Sequence, residues 1–139
     1  MDNRVREYKQ ESWVALLNRT FNEITKLGIE KGGEYSGDKD RLANFRRNAA
    51  RLGLLKEQVW AVYAGKHWDA IDQHIKDLAS GTLRVKAEPI EGRAHDLIVY
   101  LLLFLAMEEE RRLELAPRKP DAIDDTAGEA VSFLYPPQK

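Results

Sequence analysis

The chain has 139 residues, with 22 basic and 23 acidic side chains and no cysteine. That length fits a single domain, which at this size buries about two-thirds of its unfolded surface without staples. The near-neutral charge removes the Lys and Arg surplus that duplex binding draws on, and the missing thiols exclude disulfides, thiol catalysis and Cys-ligated zinc.

Nucleic-acid binding is therefore not expected, although a local basic patch of Arg41, Arg46, Arg47 and Arg51 stands out. The start, Met1-Asp2-Asn3-Arg4, leads into a mixed polar segment without a signal-peptide run. A cytoplasmic location is expected. The longest apolar run, Leu97 to Met107, is shorter than the about 20 residues a bilayer needs. No membrane contact is expected, and the run reads as a helix buried on all sides, in the core or at a subunit interface.

The helical period dominates. The first helix is expected from about Arg4 to Gly28, with an apolar stripe of Trp13, Leu17, Phe21, Ile24 and Leu27 and a stop at Gly32-Gly33. A loop to Asp38 follows. A short helix then starts near Asp40, a suitable cap, with Leu42, Phe45, Ala49 and Leu52 inward and an end at Gly53. The third helix spans Lys56 to Leu78 and ends at Ser80-Gly81. A link carrying Leu83 and Val85 leads to Pro89, which opens a fourth helix reaching about Leu115. Ala116-Pro117-Arg118-Lys119-Pro120 breaks the chain. Beyond it Ile123, Ala127, Ala130 and Leu134 predict one more short helix, and Phe133-Leu134-Tyr135 an apolar tail that docks. The expected architecture is all-α: a bundle of four main helices over 1–115, then a 116–139 extension.

At 100° per residue, Trp60, Tyr63, His67, Ile71, His74 and Leu78 share one face of the third helix. Histidines in such a stripe are more often core residues than metal ligands. On the fourth helix Arg93, Asp96, Tyr100 and Leu103 lie together, while Glu91 and His95 point elsewhere. Arg93 and Asp96, three apart, have the spacing of an intrahelical ion pair. Asp96 also opens the most apolar stretch, where a carboxylate needs a partner: Arg93, Lys66 or a bound cation.

Two segments set acidic residues at helix ends: Lys31-Gly32-Gly33-Glu34-Tyr35-Ser36-Gly37 with Ala43-Asn44-Phe45, and Glu88-Pro89-Ile90-Glu91-Gly92-Arg93-Ala94-His95-Asp96. With Trp60-Ala61-Val62-Tyr63 and Gly65-Lys66-His67-Trp68-Asp69-Ala70-Ile71 between them, their order and spacing resemble a phage nucleotide-modification-associated helical domain family. That family is related to the MazG-like all-α nucleotide pyrophosphohydrolases. The resemblance covers roughly Phe21 to Glu110.

What the resemblance implies is a MazG-like bundle, a homo-oligomer, and a phage-type nucleotide-metabolism protein acting in the host cytoplasm. In such hydrolases carboxylates on two helices hold magnesium, which takes hard oxygen ligands. The metal offsets phosphate charge and activates water, so that a nucleoside triphosphate yields monophosphate and pyrophosphate. Carried over, Glu34, Glu88 and Asp96 would be catalytic and hold Mg2+. Lys66 and Arg93 would meet phosphate, Tyr100 would match the motif's aromatic, and His67 or Trp68 would meet the base. The hydrolases also carry a Glu-x-x-Glu and a Glu-x-x-Asp pair. Here Glu30 and Glu34 are four apart, and Gly92 stands where relatives often have an acid. Two alternatives therefore stand beside the enzyme: a non-catalytic nucleotide binder or sequestering protein on the same scaffold, and a helical assembly protein.

Overall fold

The structure, a computed structural model, describes residues 6–36 and 39–117, and of residues 32–36 the backbone alone. The described residues form four α-helices and no strand, an all-α bundle: α1 (Gln10–Ser36), α2 (Ala43–Leu52), α3 (Lys56–Ser80) and α4 (Ile90–Leu115). The chain divides into two compact units, Met1–Glu108 and Glu109–Lys139. The first holds α1 to α3 and most of α4, and the described part of the second is the end of α4. The predicted C-terminal helix and the Phe133-Leu134-Tyr135 tail lie outside the described residues.

The predicted stops at Gly53 and Gly81 hold for one reason. Both adopt positive φ, 66° and 72°, and both return their backbone N–H to carbonyls of the preceding turn. Gly32-Gly33 does not stop α1, whose backbone stays helical to Ser36. A glycine pair permits a break without compelling one. Asp40 begins a turn ahead of α2 instead of capping it directly. Its Oδ1 accepts the Leu42 N–H at 3.0 Å and its Oδ2 meets Arg46 at 2.6 Å, contacts that hold its carboxyl below the usual range. At α3 the Gln58 side chain accepts the Leu55 N–H at 2.9 Å, tying off the first turn.

The core of the first unit is Leu42, Phe45, Ala49, Val59 and Met107, with Trp60, Tyr63, Tyr100 and Leu103 packed around it. Met107 is fully buried, and burial of such a side chain contributes roughly 1.5–3 kcal/mol. α4 is held to α2 and α3 by large rings. Phe45 meets Tyr100 edge-on at 6.3 Å, Trp60 lies 5.1 Å from Phe104, and the Trp60 indole donates to the Tyr100 carbonyl at 2.6 Å.

Three expectations about burial are corrected. Leu52 is exposed, because α2 ends there and Gly53 turns the chain away. The Leu97–Met107 run is not buried all round within the chain: Leu101, Leu102 and Leu105 face outward while Met107 plugs the core. Trp13 and Phe21 of the α1 stripe are also exposed, whereas Ile24 is buried. No helix among the described residues is long and apolar enough to cross a membrane.

The link between α3 and α4 is irregular, with Leu83 and Val85 exposed. Polar contacts fasten it to the end of α3. Arg84 reaches the buried Asp77 carboxylate at 3.4 Å, beside the Gln73 amide at 2.9 Å, and Lys86 donates to His74 Nδ1. This fixes where Glu88 and the start of α4 emerge.

Candidate functional site

A cavity of about 270 Å³ opens where the C-terminal part of α1, the start of α2, the middle of α3 and the first half of α4 meet. α1 supplies Gly28 and Lys31. Arg41, Asn44 and Phe45 come from the α2 region, Lys66 and His67 from α3, Glu88 from the link, and Arg93, Asp96, Val99, Tyr100 and Leu103 from α4. The apolar floor is Phe45, Val99, Tyr100 and Leu103, and the polar wall carries four Lys and Arg side chains against two carboxylates. An anion entering it trades water for charge-assisted hydrogen bonds over a low-dielectric floor, where such bonds are strongest.

Both carboxylates are engaged by cations. Asp96 Oδ1 accepts from Lys31 Nζ at 2.8 Å, and Asp96 Oδ2 stands 3.6 Å from His67 Nδ1. Glu88 meets Arg93 at 3.1 Å. The expected Arg93–Asp96 pair is thus replaced: Arg93 reaches back to Glu88, and Asp96 is met by a lysine 65 positions away in sequence. Lys66 makes no ion pair among the described residues.

His67 is buried, its ring tilted against Tyr100 at 5.2 Å, and its Nδ1 has no hydrogen-bond partner. Burial holds its pKa below the ordinary 6.5. Asp96 opposes that shift, and Lys66, Arg93 and Lys31 add to it. The imidazole is therefore neutral at pH 7, with one nitrogen left to hydrogen-bond a visitor.

Six of the residues singled out from sequence, Lys66, His67, Glu88, Arg93, Asp96 and Tyr100, line this one cavity. Trp68 does not; it is turned to solvent. The Glu34 side chain lies outside the described residues. Among the described residues no group of three or more His, Asp or Glu side chains is placed to hold a metal ion. Sequence reasoning missed Lys31, Arg41, Asn44 and Gly28 as cavity residues. Lys31 and Asn44 stood inside the quoted motifs, so the signal was present, but nothing local assigned them a partner. Comparison with protein-family models, curated proteins and solved structures returns no match.

Proposed function

We propose that this chain binds a nucleotide, or a nucleotide-derived anion, in the cationic cavity, on a scaffold that resembles the MazG-like proteins. The observation that carries the reading is the convergence of Lys31, Arg41, Lys66 and Arg93 from four separate stretches of chain on one pocket with an apolar floor. The phosphates would lie against Lys66 and Arg93, with Lys31 and Arg41 beside them, and the sugar over Tyr100, Val99 and Leu103. Binding without turnover fits the described residues best, because each carboxylate of the cavity is already engaged.

A second reading is the magnesium-dependent pyrophosphohydrolase, favoured by the presence of both Glu88 and Asp96 in the same cavity. Glu34, Glu88 and Asp96 would hold the metal, whose chemistry is to polarise phosphate and lower the pKa of water. The described donors fall short of a magnesium set by themselves, so the third carboxylate would have to come from Glu34.

One experiment separates the readings. The protein is titrated calorimetrically with inorganic pyrophosphate and each common NTP and dNTP, with and without magnesium, and the mixtures are then chromatographed. Binding with intact nucleotides supports the binder. Release of monophosphate and pyrophosphate supports the enzyme, and a flat titration of every ligand sinks both. A homo-oligomer in the cytoplasm is part of the same proposal. The outward apolar residues Leu101, Leu102 and Leu105 are the surface a second copy would cover, which sedimentation velocity tests.

A further inference from the structure

A second cavity, about 250 Å³, adjoins the first and shares Lys31, Glu88 and Asp96 with it. The Lys31–Asp96 ion pair, together with Glu88, thus borders both chambers. Their chemistry is opposite. The first is dominated by Lys and Arg. In the second, Lys31 and the His95 imidazole stand with three carboxylates, the exposed Glu23, Glu88 and Asp96, and Leu27 and Pro89 are apolar flanks. Glu23 makes no ion pair or hydrogen bond among the described residues.

Two further observations point to an occupant. His67 Nδ1, more than nine-tenths buried, faces the shared Asp96 from the first chamber without a hydrogen bond; His67 does not line the second. In addition, each chamber is walled by a helical glycine, Gly28 in the first and Gly92 in the second. A methyl group built on either would meet no atom within 4 Å. Glycine in a helix costs stability relative to alanine, and packing gives no reason for these two. What they leave is room against bare backbone.

We propose that the two chambers form one bipartite site, in which the second reads a guanine base through Glu23 while the phosphates of the same nucleotide occupy the first. This rests on the nucleotide reading above. Guanine places N1–H beside its 2-amino group, two adjacent donors that match the two oxygens of one carboxylate. Adenine and cytosine place one amino donor beside a ring-nitrogen acceptor, and uracil flanks its N–H with two carbonyls. Each of those edges sets lone pairs against the lone pairs of a carboxylate. Among the described residues nothing engages either oxygen of Glu23, whereas Glu88 and Asp96 each give one to a cation.

The test is calorimetric titration of the full chain with GTP, ITP, ATP and inorganic triphosphate, for the wild type and for Glu23→Gln, Gly92→Ala and Gly65→Ala. Inosine differs from guanosine only in lacking the 2-amino group. GTP is expected to bind about tenfold more tightly than ITP or ATP. Glu23→Gln brings the three together and leaves triphosphate affinity unchanged. Gly92→Ala weakens GTP alone, while its thermal midpoint holds or rises. Gly65, equally open but lining neither chamber, is the control: its alanine variant raises the midpoint and leaves binding alone. Triphosphate binding with GTP, ITP and ATP alike overturns the guanine subsite and leaves the cationic cavity standing. Unaltered GTP affinity in Gly92→Ala also overturns it. Failure of triphosphate itself to bind overturns both readings.

Discussion

His67 and His74 sit two turns apart on one face of α3, and the neighbours that reach them differ. His74 is half-buried, and its Nδ1 accepts from Lys86. Beside it Asp77 takes Gln73 and Arg84, so this end of the helix spends its polar groups on fastening the link. His67 is more deeply buried, its Nδ1 has no hydrogen-bond partner, and the cations around it face a cavity. Both regions combine a histidine, an aspartate and basic residues. What separates a fastening from a site is whether the polar groups are consumed by the chain itself or converge on a space.

That contrast can be broken most sharply at the cations. Lys66→Met and Arg93→Met are each expected to lower pyrophosphate affinity about tenfold, the loss of one charge-assisted contact. Lys86→Met should leave affinity unchanged and lower the thermal midpoint instead. If Lys86→Met weakens binding as much, the two regions are one.

The aspartates come next. Asp77→Asn should lower the thermal midpoint by several degrees at pH 7 with pyrophosphate binding intact. The Gln73 hydrogen bond foremost, aided by Arg84, holds the Asp77 carboxyl below its ordinary 3.8. Its contribution is therefore complete above pH 3.8 and is lost as pH falls through the depressed folded value. Circular dichroism melts over an acid series should show that loss in the wild type and not in the variant.

Asp96→Asn acts in the opposite sense. The Lys31–Asp96 pair is half-exposed on its lysine side, and pairs of that kind add about 0–1 kcal/mol, so the melt should hardly move. Freed Lys31 should raise pyrophosphate affinity a few-fold in magnesium-free buffer. A fall would show that Asp96 holds the ligand and would favour the hydrolase reading.

The smallest effect is the pH response of His67. Its folded pKa lies below 6.5, chiefly through burial. The unfolded chain thus binds the proton first, and stability falls as pH drops from 6.5 towards the folded value. NMR titration should place the His67 midpoint below 6.5, and His67→Phe should flatten the stability curve in that window.

The helices were legible because apolar spacing and terminating glycines are local. Gly53 and Gly81 marked true ends, and Arg93, Asp96, Tyr100 and Leu103 share a cavity wall as their spacing foretold. What was not legible depended on distant chain. No spacing rule joins Lys31 to Asp96, so the i,i+3 geometry of Arg93 and Asp96 suggested a pair that Glu88 pre-empts. Leu52 read as inward because a stripe shows which side of a helix is apolar, not where packing ends. Glu23 carried no signal at all, and its setting exists only once α1 lies beside the start of α4.

Tyr100 is gripped at both ends. Its carbonyl takes the Trp60 indole at 2.6 Å, while its ring lies on the cavity wall against His67. Pressure on the phenol is therefore pressure on the peptide that Trp60 holds. The other two tryptophans, Trp13 and Trp68, are exposed and line neither chamber. If a ligand fills the cavity, the fluorescence of this one part-buried indole is therefore the signal expected to change, which a titration followed at tryptophan emission checks.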